Sequence, residues 1–360
     1  MSWISIWLIF TITLIFFYQG KECKYIGLII IISLSILRWD IGNDYLNLFN
    51  SVNYSTFKFN ERGLDGFKYT IHGFEIFKPT LEYLVHQLYY PVVWVAGIFS
   101  IITIYLWYKA LNRINGLFWG FYSILFFGIL FNSWDQVRQA LAIAIFIYSI
   151  RYIEINNLKQ YLICCLLAFL VHNSALIMLP LFFLAKIPLK SYQIICLVTF
   201  FLIGYIGKIW QYLFESLFSM IDIYSIYAVN KTNGQDFTSN TGAILKTLIY
   251  LSLIIGIYPR YKVIGNILLF GLLMYLFSCS NEMIIRIANY GTFVIMLALP
   301  LFFQENKTQI KRIIGYGIVS LIFLIGTKNA ILGESGALPY ESIFSEKFHK
   351  NIFRTRDYLL

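Results

Sequence analysis

Long apolar runs separated by short polar turns organise this 360-residue chain, and they fall at about 1–20, 25–37, 91–108, 114–131, 137–153, 161–185, 191–207, 241–258, 263–279, 286–303 and 313–327. A helix that crosses the bilayer needs roughly 20 mostly apolar residues, because the hydrocarbon core is about 30 Å thick and each residue rises about 1.5 Å. Most of these runs approach that length. They predict an all-α, polytopic integral membrane protein with about ten transmembrane helices and one re-entrant helical pair. The run 1–20 has no charge before Lys21 and no small-residue cleavage site after it, so it is expected to be a retained helix rather than a signal peptide. Three polar stretches, 38–90, 208–240 and 328–360, are too long for simple turns and are expected to be external, with helices in the loops. No internal repeat, low-complexity tract or linker divides the sequence, so residues 1–360 are expected to form a single transmembrane domain.

Lysines and arginines orient the spans, since cytoplasmic loops collect them. With the N-terminus outside and every run crossing except 161–185, which enters and returns on the cytoplasmic side, the cytoplasmic loops hold 13 of the 28 cations against 3 acids. The rest of the chain then balances at 15 cations and 15 acids, so the whole net charge of +10 sits on one side. A single crossing by 161–185 destroys that asymmetry unless a further span lies within 208–230. The positive balance is therefore a topology signal and carries no implication of nucleic acid.

Composition narrows the class further. Hydrophobic residues make up 59% of the chain and charged residues 13%, about half the share usual in soluble domains. The abundant aromatics suit rings anchored at headgroup level. The five cysteines mostly lie inside apolar runs and form no C-x-x-C pair, and the four histidines have no metal-ligand spacing. No disulfide framework, metal or cofactor is indicated.

Four polar sites interrupt this pattern. The first is Arg38-Trp39-Asp40-Ile41-Gly42-Asn43-Asp44-Tyr45, which follows an apolar run of only about 20 Å of helix. Arg38 and Asp40 then lie at membrane depth or line an aqueous cavity, and the Gly42-Asn43 turn aims Asp44 at the same place; an interfacial helix end facing water is the alternative. The second is Asp135-Gln136-Val137-Arg138-Gln139, where Asp135 and Arg138 share a helix face if a helix begins there. A capping Asp135 with a snorkelling Arg138 is the plainer reading. The third is His172, in the middle of the charge-free run 161–185, beside Asn173-Ser174 and before Pro180. An ionisable group there is a functional candidate in a broken helix, or a neutral histidine bonded to a carbonyl. The fourth is Glu282 with Arg286, followed by Tyr290, a site that also fits a boundary ion pair. The assigned topology delivers all four to the external side or the middle of the membrane. Arginines meeting carboxylates and a histidine suit a phosphorylated ligand, because the guanidinium fork pairs with phosphate oxygens.

These segments also resemble a known family. Arg38…Gly42-Asn43-Asp44-Tyr45 is similar to the R-x-x-x-G-x-D-Y motif of the EpsG family, one of the Wzy-type polymerases of O-antigen, capsule and exopolysaccharide related to GT-C glycosyltransferases. Val137-Arg138-Gln139-Ala140-Leu141-Ala142 resembles its R-Q-x-[LI]-A segment. Leu170-Val171-His172-Asn173-Ser174-Ala175-Leu176-Ile177 with Pro180 resembles its H-x-S-A-[LI] segment, and Arg286-Ile287-Ala288-Asn289-Tyr290 a later R-[IV]-x-x-Y motif. The matches keep the family's order from about residue 25 to 303. One departure stands out: where the pattern has Glu-Pro, this chain has Lys78-Pro79, with Glu75 and Glu82 nearby.

The resemblance implies a membrane glycosyltransferase that moves a polyprenyl-diphosphate-linked oligosaccharide onto another lipid-linked unit at the external face of the bacterial cytoplasmic membrane. A sugar hydroxyl displaces diphosphate from an anomeric carbon. That requires stabilisation of the leaving group and a base or orienting acceptor for the hydroxyl. Arg138 and Arg286 are assigned to the diphosphate, with Arg38 either joining them or holding Asp44. Asp44 is the first choice as base, with Asp135 and His172 as alternatives; Gly42, Tyr45, Gln139 and Tyr290 complete the matched positions. Partners implied are the lipid-linked oligosaccharide, the bilayer, and flippase and chain-length regulator proteins. A flippase or transporter of the same unit, or a polysaccharide ligase, remains an alternative at this point. The topology is testable by cysteine labelling on a cysteine-free background. Ser191→Cys, next to Lys190, should resist an impermeant reagent applied from outside, and labelling from that side would discard the re-entrant assignment.

Overall fold

The computed structural model describes residues 2–19, 22–39, 41, 45–71, 73–213, 240–279, 281–306, 308–332, 340 and 342–344. Most of the expected polar stretch 208–240, and nearly all of 333–360, lies outside the described residues. Among the described residues the regular elements are all helices, and an isolated antiparallel bridge pairs Arg38 with Ser342. The chain groups into two compact units. One comprises Met1–Tyr152, Asn157–Leu176 and Ile322–Leu360; the other comprises Ile153–Asn156 and Ile177–Leu321.

In the first unit, α1 (Trp3–Gln19) pairs with α2 (Cys23–Ile36), which lies against α6 (Pro91–Arg113). The polar stretch after α2 is helical, as expected. It forms α3 (Tyr45–Arg62), a 3-10 turn (Gly63–Gly66), α4 (Phe67–Thr70) and α5 (Phe77–Val85), with α3 packed on both α5 and α6. Cations on α3 lie over rings, Lys58 over Tyr54, Phe57 and Tyr69, and Arg62 4.7 Å from the Tyr69 centroid. Such contacts hold the charged heads against aromatic faces.

Two apolar runs that read as continuous are broken. The run 114–131 becomes α7 (Leu117–Phe126) and α8 (Ile129–Asp135), bent by 58°. The bend sits at Gly128, whose φ of 81° is strained for any residue with a Cβ. The run 161–185 becomes α10 (Leu158–Val171), a 3-10 turn (Asn173–Ile177) and α11 (Met178–Leu184). Between α10 and the turn, His172 is extended, at φ −155° and ψ 128°. The helix α9 (Val137–Glu154) precedes α10.

The second unit contains α11, α12 (Ser191–Ile206), α13 (Asn240–Ile257), α14 (Lys262–Ser278), α15 (Glu282–Thr292) and α16 (Ile295–Glu305); α17 (Gln309–Leu332) follows. Several basic loops meet at one end of it. Lys186 Nζ donates to Asn156 Oδ1 at 2.6 Å, Asn266 Nδ2 to the carbonyls of Ala185 and Ile187 at 2.9 and 2.8 Å, and Leu189 N to Tyr258 Oη at 2.8 Å. Arg260 pairs with Glu305 at 3.0 Å. The excursion that leaves after Asn156 and returns at Lys186 thus begins and ends at one place. In the first unit Lys24 Nζ likewise reaches Asn112 Oδ1 at 3.3 Å, joining two further loops expected on one side.

Four described helical stretches are long and apolar enough to cross a membrane: Pro91–Arg113, Asn240–Ile257, Met283–Glu305 and Gln309–Ile331, with a fifth if the bent α7–α8 pair counts. The expected count of about ten is not reached by this measure. Helices α1, α2, α10, α12 and α14 are apolar but run 14–17 residues, only about 21–25 Å. Helix α9 carries Arg138, Arg151 and Glu154 within 18 residues.

Helices α14 and α15 approach backbone to backbone at a glycine pair: a Cβ on Gly291 would lie 2.4 Å from the Gly271 Cα, and one on Gly271 2.3 Å from Thr292 N. No side-chain movement relieves that clash. Gly291→Ala should therefore cost about 1–3 kcal/mol through overpacking. A thermal scan of the detergent-purified protein should show an earlier transition than wild type, and an unchanged midpoint would refute this contact.

Candidate active site

The site begins with Arg38, one residue beyond the C-cap of α2. It is 2% exposed. Its Nη1 donates to the Ser35 carbonyl and to Ser100 Oγ, both at 2.9 Å. Ser100 lies nine residues into α6, about 14 Å along a 23-residue helix, so the guanidinium sits well inside the apolar wall. Trp134 of α8 flanks it at 5.9 Å and donates its own indole N–H to Ser35 Oγ at 2.9 Å. Nε and Nη2 of Arg38 find no acceptor among the described residues. Tyr45, Tyr340 and Asp135 are its electrostatic neighbours.

Asp135 is the last residue of α8, and Gln136 separates it from α9. The face that Asp135 and Arg138 were expected to share therefore does not exist. Asp135 is instead an electrostatic neighbour of Arg38. Gln139, on α9, is buried at 2% exposure, and Tyr45 is buried against the Trp39 ring at 5.8 Å.

Arg138 opens α9, and its Nη1 donates to Glu75 Oε2 at 2.5 Å. The other oxygen of Glu75 accepts the backbone N–H of Asn173 at 2.9 Å, in the turn after the His172 break. One carboxylate thus joins the Arg138 and His172 segments. At the break itself, the backbone N–H of Ser174 donates to His172 Nδ1 at 3.1 Å, with the Ser174 hydroxyl 2.9 Å away. A backbone amide only donates, so Nδ1 is the accepting nitrogen and the neutral ring carries its proton on Nε2. A base acting through Nδ1 would first have to give up this bond, which weighs against the basic role considered for His172.

Beside this cluster lies a buried ion pair, Lys78 with Glu82, at 6% and 0% side-chain exposure. Lys78 Nζ also donates to Ser51 Oγ at 2.7 Å. Burial pulls the Lys78 ammonium below its usual range and pushes the Glu82 carboxyl above its own, each opposed by the other partner's charge. Arg138 contributes to the field at both.

Arg286 and Tyr290 lie on α15 in the second unit, Arg286 half-buried and Tyr290 fully buried. Asn281 caps that helix through Met283 N and Ile284 N. Asp40, Gly42, Asn43 and Asp44 lie outside the described residues, as does the side chain of Glu282.

A match to the EpsG family runs over residues 23–342, most of the chain. The chain belongs to the EpsG family. This is a family of exopolysaccharide and Wzy-type polymerase-like membrane proteins. Searches of curated proteins and of solved structures returned no match.

Sequence reasoning assigned no role to Glu75, Lys78 and Glu82. Part of the signal was present: Lys78 and Glu82 lie at i, i+4 on α5, whereas Glu75 precedes that helix and carries no such spacing. What concealed it was the reading of 38–90 as solvated, where such charges need no partner. The pair makes a clean test. Lys78→Met leaves a buried carboxylate alone and should cost about 3–5 kcal/mol, whereas Lys78→Met with Glu82→Leu should recover most of that loss. Thermal midpoints of the three proteins decide it, and a double variant no more stable than the single one would contradict the pairing.

Proposed function

We propose that this EpsG-family protein is a polymerase of bacterial surface polysaccharide. It transfers polyprenyl-diphosphate-linked repeat units on the external face of the cytoplasmic membrane. The observation that carries the reading is Arg38: a guanidinium buried in an apolar wall, with two donor nitrogens, Nε and Nη2, that no described residue accepts from. Buried donors of that kind are rare without a ligand or a structural purpose, and a diphosphate supplies several acceptor oxygens at once.

In the proposed reaction a hydroxyl of the acceptor sugar attacks the anomeric carbon of the donor. The bond from that carbon to the diphosphate oxygen breaks, and its electron pair leaves with the diphosphate. The proton of the attacking hydroxyl passes to a carboxylate, for which Asp44 is the first candidate. Arg38 and Arg138 stabilise the charge that develops on the leaving group, as preorganised donors in a low-dielectric setting. In this reading the loops around Lys24, Lys109, Asn156, Lys186 and Arg260 face the cytoplasm, and 161–185 enters and returns from that side.

Asp44→Asn keeps shape and hydrogen bonding but removes the base, which typically contributes about 10²–10⁴-fold in rate. In cells making Asp44→Asn at wild-type level, long polymer should vanish and single lipid-linked units should accumulate outside, as seen on glycan gels. A normal polymer ladder would remove Asp44 from this role. Units trapped on the cytoplasmic face would instead make the protein a flippase.

A further inference from the structure

We propose that Glu75 is a positioning residue for diphosphate binding: it holds Arg138 by one prong so that the rest of the guanidinium fork faces the diphosphate, and it ties that arginine to the helix break at Asn173. The role in turnover rests on the polymerase reading above; the role in binding does not.

The geometry is specific. Glu75 is 7% exposed, and its two oxygens are divided between Arg138 Nη1 at 2.5 Å and the Asn173 N–H at 2.9 Å. The segment before it is fixed on the same helix end: the Phe74 ring lies 5.5 Å from that of Phe169 on α10. Arg138 is the more open partner, with its side chain 37% exposed against 8% for Glu75. Among the described residues only its Nη1 is engaged, so Nε and Nη2 remain to meet a ligand. A guanidinium can satisfy a carboxylate with one prong and phosphate oxygens with the others because its five N–H donors lie in one rigid plane. A lysine in the same place would have to choose.

The charge balance points the same way. Glu75 neutralises Arg138, and Glu82 neutralises Lys78, so these four groups bring no net charge to the site. Arg138 then contributes oriented donors, while Arg38, with Asp135 as an electrostatic neighbour, supplies a further guanidinium. Orientation of that kind matters because a displacement of about 1 Å can cost on the order of 10²-fold in rate.

Glu75→Gln separates the two ties. The amide oxygen can still accept from Asn173, but its NH2 group cannot accept from Arg138. Binding of inorganic diphosphate to the purified full-length protein is the first measurement, and kcat and KM for the lipid-linked unit are the second. Glu75→Gln should weaken diphosphate binding about tenfold and lower kcat/KM by about a hundredfold, with a thermal midpoint near that of wild type. Glu75→Asp, which restores the carboxylate, should recover part of both. Because Glu75 acts through Arg138, Glu75→Gln added to Arg138→Lys should cost no more than Arg138→Lys alone.

Diphosphate affinity unchanged in Glu75→Gln, or losses that multiply in the double variant, would overturn the proposal. If Glu75→Gln fails to accumulate, the same cycle with Glu75→Asp decides it. A wild-type protein that binds diphosphate in a Glu75-dependent way yet makes no polymer would refute the polymerase reading and leave the positioning role standing.

Discussion

A helix interrupted inside an apolar slab exposes backbone N–H groups that lipid cannot satisfy, and each one left bare costs several kcal/mol. That constraint governs the candidate site. At His172 the backbone turns extended and α10 ends, so the amides of Asn173 and Ser174 lose helical partners. Glu75 takes the first and the His172 imidazole the second. The carboxylate that closes the break is also the one that holds Arg138. Repairing the helix end and placing the arginine are therefore one event, and neither segment can shift without disturbing the other.

Charge bookkeeping follows from the same low dielectric. A lone buried ion is expensive, whereas a pair with good geometry is tolerated. Glu75 with Arg138 and Lys78 with Glu82 obey this rule. Arg38 departs from it, with a backbone carbonyl and a hydroxyl as its hydrogen-bond partners and two donors unsatisfied among the described residues. Sequences keep such exceptions where function demands them. The Lys78-Pro79 that stands in place of the family's Glu-Pro gains a physical sense here. Its ammonium is compensated one helical turn later by Glu82, while Glu75, three residues earlier, supplies the carboxylate that faces Arg138.

Much of this was legible in the sequence, for reasons that can be named. Arg38 after a 13-residue apolar run was expected either inward or at an interfacial helix end, and it is buried; the polar neighbours of His172 marked a break. Asp135 misled because its spacing from Arg138 assumed one continuous helix. The break that separates them falls at Gln136, at φ −107° and ψ 60°, and an uncharged glutamine between Asp135 and Val137 gives little warning of it. The span count outran the structure because apolar character was taken to imply length, yet five apolar helices stop at 14–17 residues. Glu75 was hidden for a different reason: its partners lie 63 and 98 residues away, a separation no local pattern encodes.

The partition of lysines and arginines and the hydrogen bonds of the loops bear on one question from independent directions. The charge argument required 161–185 to leave and return on the same side, or else an additional span further on. The additional span would separate Lys186 from Arg151–Lys159 by the full thickness of the bilayer. Instead Lys186 Nζ meets Asn156 Oδ1 at 2.6 Å, and the carbonyls of Ala185 and Ile187 accept from Asn266. Asn156 and Lys186, at the two ends of this stretch, are therefore in contact within the second unit, as a return to the same side requires. Lengths of 14 residues for α10 and 7 for α11 are what such an excursion requires. The short helices that depress the span count thus belong, in this stretch, to the segment that breaks at His172.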